Sequence, residues 1–299
     1  MRTPPKLKTG DTVAIVAPAK KVTQDELLPA KDVLNQWGFK VVFGDTIGAE
    51  SHQFAGTDEL RWQDVQYMLD NTAIKAIFCA RGGYGTVRII DRLSFENFLQ
   101  NPKWICGFSD VTVFHSHINK IFNIETLHSV MPVSFEGTDR TSLSSLKNAL
   151  MGKKMSYETG GSKYNCSGKC KGKITGGNLS ILFSLLGSTS QVNTKGKILF
   201  LEDLDEYLYH IDRMMMALKR AGMLHELAGL LIGSLNKMHD NDIPFGKNAM
   251  EIIASHTTDY NYPVAFNFPA GHVKDNRTLI MGRMYEMTVK EHHTRLKTL

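Results

Sequence analysis

The chain has 299 residues, 42% of them hydrophobic and 22% charged, with a formal net charge of +5. That length is enough for a large core in two domains or one large α/β domain, and the composition excludes a disordered chain. The positive charge is spread out, with "KCKGK" (169–173) its densest cluster; a nucleic-acid binder shows a clustered basic footprint on a recognisable module, so nucleic acid is not an expected partner. From the N-terminus, "TVAIVAP" (12–18) predicts a strand and "TQDELLPAKDVLNQWG" (23–38) a helix stopped by Gly38, with Pro29 placed to kink it. "KVVFG" (40–44) predicts a strand, and "TDELRWQDVQYMLDN" (57–71) a helix capped by Thr57. "IKAIFCA" (74–80) predicts a strand leading through "RGGYG" (81–85) to a helix over 86–93. "KWICGF" (103–108), "DVTVFHSHINKIF" (110–122) and "IETLHS" (124–129) predict strand, helix and strand. Such alternation implies a mostly parallel sheet with helices on both faces, and functional groups collect at the carboxyl ends of its strands.

The alternation breaks after Pro132. A short helix over 142–151 leads into "SYETGGSKYNCSGKCKGKITGG", whose Gly, Ser and Lys read as linker and loop. A second unit follows, with helices over 178–187, 209–223 and 246–257 and strands over 197–203, 227–234 and 262–267. "LIMGRMYEMTV" (279–289) reads as a β-hairpin about Gly282-Arg283. The expected organisation is α/β: an N-terminal domain over 1–135 with a mostly parallel sheet flanked by helices, a linker and loop over 136–174, and a C-terminal mixed α/β domain over 175–299. The first residues do not read as a signal peptide, and no stretch approaches 18 apolar residues. Cys79 and Cys106 fall in apolar strands, while Cys166 and Cys170 form a lone C-x3-C without the four ligands zinc requires. The expectation is a cytoplasmic protein with reduced thiols, no metal, no cofactor and no membrane association.

"GFSD" (107–110) places Ser109 at a strand-to-helix turn. Local pattern alone favours a helix cap for a serine there, a role open to Asp110 too, over an exposed nucleophile. The G-x-S-x-G elbow is absent, because position 111 is valine. "ARGGYG" (80–85) is a second strand-to-helix loop, able to turn backbone N–H groups toward a phosphate or an oxyanion, or to form only a tight turn. It fails the dinucleotide pattern, since position 88 is arginine. "LFLEDLDE" (199–206) ends a strand in Glu202 and Asp203, and "FPAGHVKDN" (268–276) places His272 after a strand, a proline and a glycine. His115 and His117 lie two apart on a helix and do not make a metal pair. Each feature alone fits a cap, a solvated strand end or a surface loop. Together, Ser109, Glu202 and His272 supply a nucleophile, an orienting acid and a base, each at the end of an apolar strand.

"VAIVAP", "ARGGYG", "GFSD", "TGGNL" (175–179), "LFLED" and "FPAGH" occur in the order found in the LD-carboxypeptidases. The chain resembles that serine peptidase family, which includes muramoyltetrapeptide carboxypeptidases and microcin-immunity proteins, over nearly its whole length. The resemblance implies Ser109 as nucleophile, Glu202 as charge-relay acid, His272 as base, and the backbone N–H groups of Gly83 and Asp110 as oxyanion hole. It also implies a homodimer and a muropeptide substrate cleaved between an L-centre and a terminal D-amino acid. Arg81, beside the oxyanion loop, is the candidate for the substrate carboxylate, against a surface or interdomain ion pair. Two other functions remain open: hydrolysis of a peptidyl-nucleotide antibiotic, and a non-catalytic phosphate- or nucleotide-binding module. The last requires Ser109, Glu202 and His272 to lie beyond hydrogen-bond reach of one another.

Overall fold

The computed structural model describes residues 1–299. Its first part runs β1 (Thr12–Val16), α1 (Leu28–Gln36), β2 (Lys40–Phe43), α2 (Asp58–Asp70), β3 (Ile74–Cys79), α3 (Glu96–Gln100), β4 (Trp104–Gly107), α4 (Thr112–His117) and β5 (Thr126–His128). These five strands pair in parallel in the order β5-β4-β3-β1-β2. The central strands are buried almost throughout, as their unbroken apolar runs require when both faces are covered. Val65 and Met68 of α2 and Phe98 of α3 pack on one face against Ile77 and Ile105; Ala30 and Leu34 of α1 pack on the other against Ile15 and Phe78. Thr57 caps α2, its hydroxyl accepting the Leu60 N–H at 3.2 Å. Pro29 does not kink its helix: α1 begins there, after a 3-10 turn over Asp25–Leu27, and a proline in the first turn breaks no hydrogen bond. The helix expected over 86–93 is instead two 3-10 turns, Thr86–Arg88 and Ile90–Arg92.

The segment expected as linker and loop is largely regular structure. It holds α5 (Arg140–Leu150), β6 (Ser156–Gly160) and most of β7 (Gly168–Asn178). Then follow α6 (Leu179–Ser184), β8 (Ile198–Leu204), α7 (Leu208–Arg220), β9 (Gly229–Asn236), α8 (Ala249–Ser255), β10 (Val264–Ala265), β11 (Leu279–Met281), β12 (Met284–Lys290) and β13 (His293–Thr298). Seven strands form the second sheet, in the order β10-β9-β8-β7-β12-β13-β6, parallel from β10 to β7 and antiparallel beyond. The glycines of β7 mislead because they serve close approach, not a loop: a Cβ on Gly177, whose φ is +140°, would lie 2.5 Å from Thr112 Oγ1. The hairpin expected about Gly282-Arg283 does not form. β11 crosses to the first sheet and pairs antiparallel with β5, while β12 stays in the second sheet and makes the hairpin with β13. The architecture is mixed α/β on two sheets, with the carboxyl ends of β4 and β8 carrying "GFSD" and "LFLED".

Candidate active site

The buried apolar residues of β4 fix the strand that delivers Ser109. Phe108 is extended and Ser109 follows at φ +62°, a left-handed conformation uncommon for a residue with a Cβ. Such a residue stores about 1–3 kcal/mol, held by its surroundings. Three contacts hold it. His115, one turn into α4 and its continuation, donates from Nε2 to the Gly107 carbonyl at 2.9 Å, while its Nδ1 accepts from Thr126 Oγ1 at 2.9 Å. Burial brings the His115 pKa down to about 4, so the ring is neutral and the Nε2–H tautomer is the one that fits. Gly82 packs directly on the serine: a Cβ there would lie 2.9 Å from both Ser109 Cβ and Oγ. The third is a short 3-10 turn over Ser109–Val111, which leads into α4.

Neither Ser109 nor Asp110 caps that turn or α4 with its side chain, so the cap expectation is corrected. The Asp110 carboxylate is wholly buried and accepts the Thr86 N–H at 2.9 Å. Burial raises its pKa, opposed by that hydrogen bond. The backbone N–H groups of Gly83 and Asp110 make no hydrogen bond within the chain.

Glu202 and His272 arrive from the second sheet. Leu201 pairs with Ile232 and Asp203 with Leu235, so two residues of β9, Gly233 and Ser234, oppose Glu202 alone. A bulge of this kind re-aims a side chain, and it leaves Glu202 facing the loop after β10. That loop is fastened by the Ser234 N–H, which donates to the Ala270 carbonyl at 2.9 Å. Asn236 Nδ2 donates to the His272 carbonyl at 2.7 Å. Glu202, fully buried, accepts from His272 Nδ1 at 2.7 Å. The imidazole therefore keeps Nε2 on its opposite edge, and its ring packs on Phe108 with centroids 4.8 Å apart. Burial pulls the His272 pKa down, but the hydrogen bond and charge of Glu202 outweigh it, and the net shift is upward.

Asp203 faces away from that pair. It accepts from Asn178 Nδ2 at 3.0 Å, from the Ser180 N–H at 2.8 Å and from its neighbour's N–H, that of Leu204, at 2.8 Å. Burial, reinforced by the charge of Glu202, pushes its pKa up to about 7 against those donors. The structure thus joins Glu202 to His272 and brings Phe108 against the imidazole, but no hydrogen bond joins Ser109 Oγ to His272. Arg81 donates to the Lys21 carbonyl at 3.2 Å and lies 3.8 Å from the Glu26 carboxylate. A cleft of about 510 Å³ opens beside His272, with Phe108, Val130 and Leu204 among its apolar walls and Lys237, Lys274 and Glu136 among its charged ones. Sequence reasoning weighed His115 only as half of a metal pair with His117 and gave it no part in holding the Ser109 turn.

Residues 13–129 match the LD-carboxypeptidase N-terminal domain and residues 171–287 the LD-carboxypeptidase C-terminal domain. The "Probable murein peptide carboxypeptidase" of Bacillus subtilis (strain 168) is 31% identical over 297 residues, covering 96% of this chain and 92% of that protein. The "Microcin C7 self-immunity protein MccF" of Escherichia coli is 23% identical over 312 residues, covering 92% of this chain and 90% of that one. The crystal structure of muramoyltetrapeptide carboxypeptidase from Oxalobacter formigenes superposes with a TM-score of 0.87 at 26% identity, covering 96% of this chain and 98% of that one. With both domains matched in order, and a relative aligned along almost its entire length, the chain belongs to the LD-carboxypeptidase family of peptidases.

Proposed function

We propose that the chain is a serine-type LD-carboxypeptidase that releases a terminal D-amino acid, D-alanine, from cytoplasmic muropeptides during cell-wall recycling. The observation that carries this reading is a strained Ser109 two residues beyond β4, together with a buried hydrogen bond at 2.7 Å between Glu202, near the end of β8, and His272, on the loop after β10. Ser109 Oγ attacks the carbonyl carbon between the L-centre and the D-residue, and its proton passes to His272 Nε2. Glu202 holds Nδ1–H and stabilises the imidazolium. The developing oxyanion is met by the N–H groups of Gly83 and Asp110, which have no other partner in the chain. Collapse of the intermediate expels the amine of the D-amino acid, which takes the proton from His272. Water then cleaves the acyl-enzyme by the same base. The missing Ser109–His272 hydrogen bond is compatible with this scheme, because such bonds often form only with substrate bound.

Arg81 is the cation assigned to the substrate's terminal carboxylate; its ion pair with Glu26, long at 3.8 Å and partly solvated, is a weak competing hold. A tetrapeptide ending in D-alanine, with the L-alanine isomer as control, tests the reading by mass spectrometry. D-Alanine release from the first and none from the second is expected. Cleavage of neither, with hydrolysis of an aminoacyl sulfamoyl nucleotide, would transfer the assignment to antibiotic immunity.

A further inference from the structure

One peptide group in the glycine-rich loop is gripped at both ends. The Gly85 carbonyl accepts from Arg61 Nη1 at 3.0 Å, and the N–H of the same peptide, that of Thr86, donates to Asp110 Oδ2 at 2.9 Å. Arg61 projects from α2 and its side chain is wholly buried. The same Nη1 donates to the Pro18 carbonyl, just beyond β1, at 2.6 Å, and Nη2 pairs with Asp58. The guanidinium also lies 4.9 Å from the centre of the Phe54 ring. Gly85 has φ +150°, and a Cβ on it would meet Nη1 at 2.7 Å. Only a bare backbone leaves room for the cation. A buried guanidinium is expensive unless every contact is well made, and an apolar side chain of similar volume often fills such a site as well or better. Core filling therefore does not account for a charge at this position.

The geometry also orders three functional groups. Asp110 follows Ser109 in the chain, and Gly83 lies two residues before Gly85. A cation at the carbonyl end and a carboxylate at the N–H end orient one peptide dipole, and with it the loop that presents the Gly83 N–H. Oxyanion donors act on the transition state only if they are already aimed when charge develops, and a misplacement of about 1 Å is enough to lose about 10²-fold in rate. We propose that Arg61 is a positioning residue of the oxyanion site: acting through the Gly85–Thr86 peptide and Asp110, it holds the Gly83 N–H in register with the Ser109 turn. The inference rests on the proposed roles of Ser109, Gly83 and Asp110.

Arg61→Lys, Asp110→Ala and the double variant test it on the D-alanine tetrapeptide. Asp110→Ala keeps its own backbone N–H and removes the carboxylate that accepts from Thr86, so it carries the measurement if Arg61→Lys does not fold. Ground-state affinity for the same peptide is measured by calorimetry in a Ser109→Ala background. Each single variant is expected to lower kcat about 10–100-fold, with ground-state Kd within about twofold, because the donors act mainly on the transition state. The double variant is expected to be no slower than the worse single one, because both act through one peptide. A folded Arg61→Lys with wild-type kcat overturns the inference. So do losses that multiply in the double variant, or a Kd that weakens in step with kcat, which is the mark of general disorder of the site. Wild-type enzyme run alongside separates the two levels: no turnover by it overturns the reaction itself and this inference with it, whereas wild-type turnover beside an unimpaired Arg61→Lys overturns the inference alone.

Discussion

At Ser109 function and stability pull in opposite directions. Ser109 is half-buried, and its backbone is held at φ +62°. Ser109→Ala is expected to abolish turnover and keep the strain. Ser109→Gly is expected to be equally inactive but about 1 kcal/mol more stable than the alanine variant, since glycine adopts this conformation freely; thermal melts of the two read the difference. Equal melting temperatures would mean that the turn is unstrained, and wild-type turnover by Ser109→Ala would remove it as the nucleophile. At Glu202, replacement by Gln keeps the shape but leaves an amide that cannot stabilise an imidazolium. A comparable acid-to-amide change in serine proteases lowers kcat about 10⁴-fold, and a loss of about 10²–10⁴-fold is expected here. Asp203→Asn is the control, because its carboxylate faces Asn178 and Ser180. The pH profile sharpens the test. The base works when neutral, and its native pKa is raised by Glu202, so activity should rise through an acidic limb above the ordinary histidine value. In Glu202→Gln burial is opposed only by the charge of Asp203, and that limb should move to lower pH. Stability follows the same sign. The His272–Glu202 contribution is fully present below the pKa of an unfolded histidine and is lost as pH rises through the raised native value. A limb that stays in place in Glu202→Gln would show that Glu202 does not set the charge of His272.

At the scale of elements, the nucleophile helix packs on the second sheet through β7, and one tight contact lies at their junction. Thr112, in the first turn of α4, accepts the Asn178 N–H at 3.0 Å, and Gly177 lies directly against it. Gly177→Ala would drive a Cβ into Thr112 at a backbone angle of +140°. It is expected to cost about 1–3 kcal/mol, a range typical of overpacking, and to lower kcat more than other alterations of similar stability, because it displaces α4 and with it Ser109. Chemical denaturation beside kcat measures both; an active, equally stable variant would mean that the junction yields. The same contact explains what the sequence hid. The strand ends near Ser109 and Glu202, and the loop carrying His272, are legible because apolar runs stop abruptly before polar residues. β7 is not, because its glycines match a loop in composition while their reason lies in α4, more than sixty residues earlier. β11 is not, because crossing between sheets leaves no local pattern and Gly282-Arg283 between two apolar runs looks like any hairpin turn. The roles of Arg61 and His115 were missed because a buried polar side chain on a helix reads like an exposed one until its acceptors, the carbonyls of Gly85 and Gly107, are placed.

At the scale of the whole molecule, two sheets need not mean two independently folding units. One core cluster runs through both, joining Val13 and Phe78 of the first sheet to Ile174, Phe200 and Tyr285 of the second. β11, from the last part of the chain, is an edge strand of the first sheet. Beside it Arg283, between β11 and β12, pairs with the buried Glu125 at 2.6 Å. Removing the second sheet would therefore strip a strand from the first, open apolar surface on both and leave Glu125 without its cation. A single cooperative unfolding transition is expected. The distribution of tryptophan makes this measurable: Trp37, Trp62 and Trp104 all lie in the first part of the chain, so their fluorescence reports that part, while far-UV circular dichroism reports both. The two signals should share one urea midpoint. If the homodimer that the family resemblance implies forms, that midpoint should also rise with protein concentration, because association stabilises the folded state by mass action, and light scattering should give twice the chain mass. A monomer mass with a concentration-independent midpoint would remove the dimer and leave the shared core intact. Separate fluorescence and dichroism midpoints would instead show that the core through β11 and Arg283 does not bind the sheets into one unit, and the placement of Ser109 against His272 would then depend on local contacts such as Thr112 on Gly177 alone.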